Sequence, residues 1–283
     1  MFVTGANTAA ASQIARFHAQ ALAAVEKSSA RIAADRRFTS FAEDPAAATR
    51  EISLRAQQGA AGLHLRATQD AKAAADAASS GLQQASDLLL ELRNAVLGMD
   101  ENDASSVSAV QSTVDQLTAQ LTRIAQTTTS VGGDALLDGS IATTGLSFTV
   151  AGSGTASDAV ELTAISVAAA DLGDGSLDLA SIDFAGGTTR AATLTAIDAA
   201  RDAVVGSLAS TGGVSSAMGY HATAMASHST AVTSTLENLV GVDVAEETLA
   251  MTRNSIRAES AAAMLAQVNA LHISMVRQLL MYR

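Results

Sequence analysis

Apolar residues recur at three- and four-residue intervals over most of this chain, and that spacing predicts helices. Ile14, Phe17, Ala21 and Val25 set the period of a first helix from about Asn7 to Arg36. A break at FTSFAEDP follows, where Asp44 is placed to cap the next helix. Pro45 suits its first position, because the missing N–H would have had no helical partner. From Pro45 the pattern stays helical to about Leu97; GMDENDAS (98–105) is a turn. A third helix runs from about Ser106 to Thr127 with Val107, Val110, Val114, Leu117, Leu121 and Ile124 on one face. Residues 130–190 then lose the helical period. Short β-like runs (LSFTV, AVELTAI, LDLA, SIDF) alternate with the turn signals AGSGTAS, GDGS and AGGTT, which predicts β hairpins. Helix resumes near Thr193, with an interruption expected at the glycines of 211–213, and continues to about Asn238. A final helix spans about Val244 to Tyr282. Its apolar residues form two overlapping stripes, Met264–Val268–Leu271–Met275 and Leu265–Val268–His272–Val276–Leu279, so burial on several sides is expected.

The fold class that results is mainly α: a long antiparallel bundle or coiled coil of the N- and C-terminal helices, with a small β-hairpin region between. Composition agrees. One proline in 283 residues permits long helices, and 3% aromatic residues give too little bulk for a thick globular core. Small residues along the seams permit close helix approach but bury little area, so the ends are expected to gain order on assembly. The absence of cysteine excludes disulfides and thiolate-ligated metals. No run approaches the roughly 18 apolar residues of a membrane span, and no basic n-region with an apolar run opens the chain, so a cleaved signal peptide is not expected.

Charge is divided unevenly. The net −11 separates into two mildly basic ends and an acidic middle: residues 1–66 carry eight basic and five acidic side chains, 100–250 carry three and eighteen, and 251–283 carry four and one. Two lysines in the whole chain, and no basic patch interleaved with aromatics, speak against nucleic-acid binding. Candidate chemistry is sparse. His221 and His228 are seven apart, too far for a two-histidine metal pair on one helix, and His272 lies in the apolar stripe. Asp171, Asp174 and Asp178 read as a solvated turn before they read as calcium ligands. Asp243, Glu246 and Glu247 suit the positive end of a helix rather than catalysis. The glycine loops lack the Lys-Ser/Thr of a phosphate loop. No enzyme, metal or cofactor is expected.

Four stretches resemble bacterial flagellin. Asn7-Thr8 stands where that family opens with Asn-Thr. Arg37-Phe38-Thr39-Ser40-Phe41-Ala42-Glu43-Asp44-Pro45-Ala46 is similar to its Arg-Ile-Asn-Ser-Ala-Ala-Asp-Asp-Pro-Ala turn. Ile124-Ala125 with Leu136-Leu137-Asp138-Gly139 resembles the entry to its β part. Val242-Asp243-Val244-Ala245-Glu246-Glu247 and Met264-Leu265-Ala266-Gln267-Val268-Asn269 resemble its Asp-x-Asp-x-Ala-x-Glu and Leu-Ala-Gln-Ala-Asn signatures. There are departures: Asp35 replaces the glycine of the family's Leu-Ser-Ser-Gly, Gly241 replaces the first acid of Asp-x-Asp, and Leu90–Val96 only partly matches the helix read by vertebrate innate receptors, with Arg93 present but a second Arg and the following Glu-Leu absent.

The resemblance implies an inner helical domain from 1–43 and 241–283, and an outer domain from 44–240 with hairpins at about 140–190. It implies a secreted subunit that polymerises into the extracellular flagellar filament, a helical tube used for swimming. Partners would be further copies of the chain, the flagellar export apparatus with its chaperone, and the hook–filament junction and cap proteins. Ile14, Phe17, Val25, Leu265, Val268, Leu271, Met275 and Leu279 are the expected subunit contacts; Asn7, Arg37, Asp44, Pro45, Asp243, Gln267 and Asn269 carry the motifs. The alternative is the related hook–filament junction protein. A coiled-coil signalling rod would share the small-residue heptads, but not an acidic β insert between basic ends.

Overall fold

In the computed structural model, which describes residues 2–150 and 159–281 and not the side chains of 2–8, 279 and 280, five long helices alternate with one short β region. They are α1 (Phe2–Ala34), α2 (Pro45–Leu97), α3 (Ala104–Thr127), α4 (Arg190–Val240) and α5 (Val244–Met281). Strands β1 (Leu146–Thr149) and β2 (Ala159–Leu162) lie between α3 and α4. The chain divides into two compact units, one built from 1–56 and 232–283, the other from 57–231.

The 57–231 unit owes its core to two heptad seams. In α2 the buried seam residues are Ala71, Ala75, Ala78, Leu82, Ala85, Leu89, Leu92 and Val96, alternating four and three residues apart, with Thr68 and Ala74 buried as well. In α4 they are Thr193, Ile197, Ala200, Val204, Ser207 and Thr211, on the same alternation, with Ala196 buried as well and Met218 seven residues further on. Arg93 Nε reaches Asp198 at 2.8 Å and Ser215 Oγ donates to Asp76, so the two helices run antiparallel. α3 adds Val114, Leu117, Leu121 and Ala125, and starts on Asp103, whose carboxylate accepts the N–H of Ser105. Burial of this row of wholly enclosed leucines stabilises the unit, each by roughly 1.5–3 kcal/mol.

The seam also explains two departures from expectation. α4 is not interrupted at 211–213. Thr211 is fully buried on the seam while Gly212 and Gly213 face open space, so packing on either side offsets the roughly 1 kcal/mol each glycine costs a helix. The β region is smaller than expected. Among the described residues only LSFT and AVEL pair as strands, antiparallel with Leu146 opposite Leu162 and Thr149 opposite Ala159. LDLA instead closes as a 3₁₀ turn over Leu179–Ser181. SIDF finds a side chain in place of a strand: Gln111 of α3 donates to the carbonyl of Ile182 and accepts the N–H of Phe184. Five helix ends differ from the expected ones by two to five residues: Phe2, Ala34, Ala104, Arg190 and Val240. The AGSGTAS turn lies outside the described residues.

Leu136-Leu137-Asp138-Gly139 fastens the β region to the helices. Both leucines are fully buried, Asp138 accepts the N–H of Ser140, and Gly139 takes the left-handed φ of +91° that ends the turn. α2 accommodates Leu137 by carrying Gly81 beneath it; a Cβ there would lie 2.5 Å from Leu137 Cδ1.

Candidate assembly site

In the unit formed by the two chain ends, α1 and α5 pack as an antiparallel pair. Among the described side chains the seam positions of α1 are Ala11, Ile14, His18, Ala21, Val25, Ser28 and Ile32, with Ala24 and Arg31 part-buried beside them; those of α5 are Glu247, Met251, Asn254, Ala258, Ala261, Leu265, Val268, His272 and Met275, with Ala250 and Ser255 part-buried beside them. Both sets alternate three and four apart, the spacing that keeps a seam facing a partner helix. The close approach rests on small residues: in α1 and α5 only Ala21, Ser28, Ala258 and Ala261 are buried among the described side chains, and the larger seam residues stay half-buried.

Of the expected contact residues, Ile14, Val25, Leu265, Val268 and Met275 lie in this intramolecular seam. Phe17 and Leu271 point away from it, 64% and 56% exposed. The Leu279 side chain lies outside the described residues. Phe17 and Met264 flank a groove of about 530 Å³ that follows one side of the pair. α5 also carries Leu249 and Ile256, both 58% exposed, on a second shallow apolar surface with Val244, and Ile256 borders the Phe17 groove as well. The sequence stripes had not separated these outer residues from the seam. A heptad register does, placing Leu249 and Ile256 seven apart and outside it.

An elbow joins α1 to α2 and holds α5. α1 ends in a Schellman-type cap, with the N–H of Asp35 on the carbonyl of Ile32 and the N–H of Arg36 on that of Arg31. Asp35 occupies the left-handed position with φ +50°, where the family resemblance expects glycine. The Arg37 N–H then donates to the carbonyl of Val240 at 2.7 Å, and Phe38 is buried among Ala47, Ala48, Leu236, Leu239 and Val240. Asp44 caps α2 by accepting the Ala47 N–H, with Pro45 in the first position, and Arg37 lies 3.8 Å from its carboxylate. Asp243 caps α5 in the same way, accepting from Ala245 and Glu246. Gly241 fits the α4–α5 turn because a Cβ there would meet the Glu237 carbonyl oxygen at 2.5 Å. Gln267 and Asn269 are exposed on α5, and Asn7 belongs to α1 with its side chain outside the described residues.

Ion pairs that the sequence reading did not assign tie the elbow together. Glu43 accepts from Lys27 at 2.8 Å and from the Thr39 N–H at 3.0 Å, and Arg31 bridges Glu43 and Glu247. The Lys27 ammonium, then the Thr39 N–H, hold the Glu43 carboxyl below its ordinary range. Glu51 is buried between Arg36 and Arg55, and the Arg36 guanidinium lies 5.5 Å from the Phe38 ring centroid. Their signal was the charge pattern of 27–55, legible only once the turn folds it together.

The acids considered for calcium do not converge. Asp174 spends its carboxylate on the N–H groups of Ser176 and Leu177, which lower its pKa, and Asp171 accepts from Ser166. Among the described residues no helix is long and apolar enough to cross a membrane.

No curated protein matches the chain. A solved structure described as a flagellar hook-associated protein from Vibrio parahaemolyticus shares the fold, with a TM-score of 0.55 and 18% identity over 70% of this chain and all of that one. The family model for the bacterial flagellin N-terminal helical region matches residues 6–142, and that for the C-terminal helical region matches 194–280. These matches take in α1 to α3 with the elbow, and most of α4 with α5. The chain belongs to the bacterial flagellin family and is a structural protein of the flagellum.

Proposed function

We propose that this chain is the repeating subunit of a flagellar filament and that it polymerises through the α1/α5 stem. One observation carries the reading: α5 keeps Leu249, Ile256, Leu271 and Ile273 56–58% exposed while its inner seam is already occupied by α1. Large aliphatic side chains spread around such a helix are accounted for when neighbouring copies cover them. The small-residue seam points the same way, because an Ala/Ser contact alone contributes little area and the stem gains its burial from neighbours. Within this reading the export apparatus and its chaperone handle the chain before assembly, the junction and cap proteins bound the filament, and the polymer lies outside the cell.

Deleting residues 251–283 removes most of α5 and tests it. Purified truncated protein should keep the helical signal of the 57–231 unit and form no filaments by electron microscopy when seeded, whereas the full chain should elongate into long tubes. Filaments from the truncated chain would sink the proposal. Short rings that stop growing, from the full chain, would favour the junction-protein reading instead.

A further inference from the structure

The elbow carries a second exposed surface, of different chemistry from the stem. Phe41 and Ile52 are 55% and 60% exposed, on either side of a depression of about 280 Å³ whose walls include Arg36, Thr39 and Arg55. Glu51, the acid in that depression, is buried and already paired with both arginines. The Nε of Arg36 is buried without a hydrogen-bond partner among the described residues. The depression thus sets two exposed apolar side chains beside two arginines that share a single acid, which leaves it net cationic. Its complement is an exposed apolar side chain flanked by carboxylates.

One such feature stands at the α2–α3 turn. Leu97 is 47% exposed, and Asp100, Glu101 and Asp103 follow it; among the described residues Arg190 pairs with this group, its Nε 3.6 Å from Glu101. In the acidic stretch 171–183 Leu172, Leu179 and Ile182 are buried and Leu177 is partly so, and Val244 beside Asp243, Glu246 and Glu247 belongs to the α5 surface already assigned to the stem. We infer that the Leu97–Asp103 turn of a second copy docks on the Phe41/Ile52/Arg55 elbow. Two different patches that match each other make a head-to-tail contact, which need not close and so generates an open helical polymer. Opposed charges at its margin would set register and speed encounter. The inference rests on the filament-subunit reading and supplies that polymer with a longitudinal contact separate from the stem.

The test is charge exchange in the full chain, with seeded elongation followed by light scattering and electron microscopy. Arg55→Glu alone, and Asp100→Lys with Glu101→Lys, should each raise the critical concentration roughly five- to tenfold at low salt, and the three changes together should restore most of it. The effect should shrink in about 0.5 M salt as the charges are screened. Arg55 also pairs with Glu51, so Ile52→Gln, which breaks no ion pair and removes part of the exposed apolar wall, is made in parallel and should weaken elongation in the same direction. Wild-type elongation by the Ile52 and acidic-turn variants, or no recovery on combining the Arg55 and acidic-turn changes, overturns the docking. Either outcome leaves the stem reading standing, because that falls only if the 251–283 deletion still polymerises.

Discussion

The two units of this protein solve the same helix-packing problem with different side chains. In the 57–231 unit, heptad seams present Leu82, Leu89, Leu92, Leu121 and Ile197, wholly enclosed and backed by Leu136 and Leu137 from the β region. In the stem the heptads are as regular, but the enclosed residues are alanines and a serine, and Ile14, Val25, Leu265 and Val268 stay half-buried. A seam of fixed period is thus compatible with a finished core or an unfinished one. The difference is whether a third layer covers it. The first unit has α3 and the β region as that layer. The stem has two helices, and its outward apolar residues stay exposed.

The contrast breaks most directly by truncating one apolar residue of each unit. Leu137→Ala should destabilise the 57–231 unit by about 3–4 kcal/mol, because a fully enclosed leucine leaves a cavity among side chains that cannot collapse into it. Val25→Ala should cost the isolated chain under about 1 kcal/mol, since a half-buried side chain surrenders less area and leaves no closed void. Amide exchange read on peptides of each unit separates the two effects. Equal losses would mean that the stem is as well packed in the monomer as the leucine core. In assembled filaments Val25→Ala should become the more costly of the two for elongation.

Helical glycines sharpen the comparison next, within the finished core. Gly81→Ala improves intrinsic helix propensity by about 1 kcal/mol, yet the new methyl would sit 2.5 Å from Leu137 and 2.8 Å from Thr128 Oγ1. Overpacking should win, for a net loss of about 1–2 kcal/mol. Gly212→Ala meets open space and should instead gain up to about 1 kcal/mol. Opposite signs in thermal unfolding are the expected result. A stabilising Gly81→Ala would show that Leu137 can move, and that the β region is only loosely seated.

Much of this was legible in the sequence because period and punctuation carry it. Asp44-Pro45 and Asp243 mark helix starts through local hydrogen bonds, and the α2 and α3 stripes need no distant partner to be read. The misjudged places all depended on distant groups. The glycines at 212–213 read as a break until Thr211 and Met218 are seen packed on the α4 seam. Residues 181–184 read as a strand, but their partner is the amide of Gln111, about seventy positions away. Among the expected contact residues, spacing could not tell those that α1 and α5 use on each other from those left outside, since both repeat every seven residues. The elbow's ion pairs were hidden for the same reason: Lys27, Arg31, Glu43 and Glu247 are common surface residues until a turn gathers them.

The smallest expected effect lies at the exit from α1, where the stem departs from the family pattern. Asp35 holds φ +50°, a conformation in which a Cβ is crowded and glycine is at ease. Its N–H and that of Arg36 close the helix on Ile32 and Arg31, so the backbone cannot relax without giving up those bonds. Asp35→Gly should therefore stabilise the cap, but by only about 0.5–1 kcal/mol, because aspartate tolerates this region better than most residues and the glycine adds freedom to the unfolded chain. The gain should appear as slower amide exchange over the last turn of α1 and leave the 57–231 unit unchanged. A loss would mean that the Asp35 carboxylate itself holds the turn, which would make the departure from glycine a compensated change rather than a strained one.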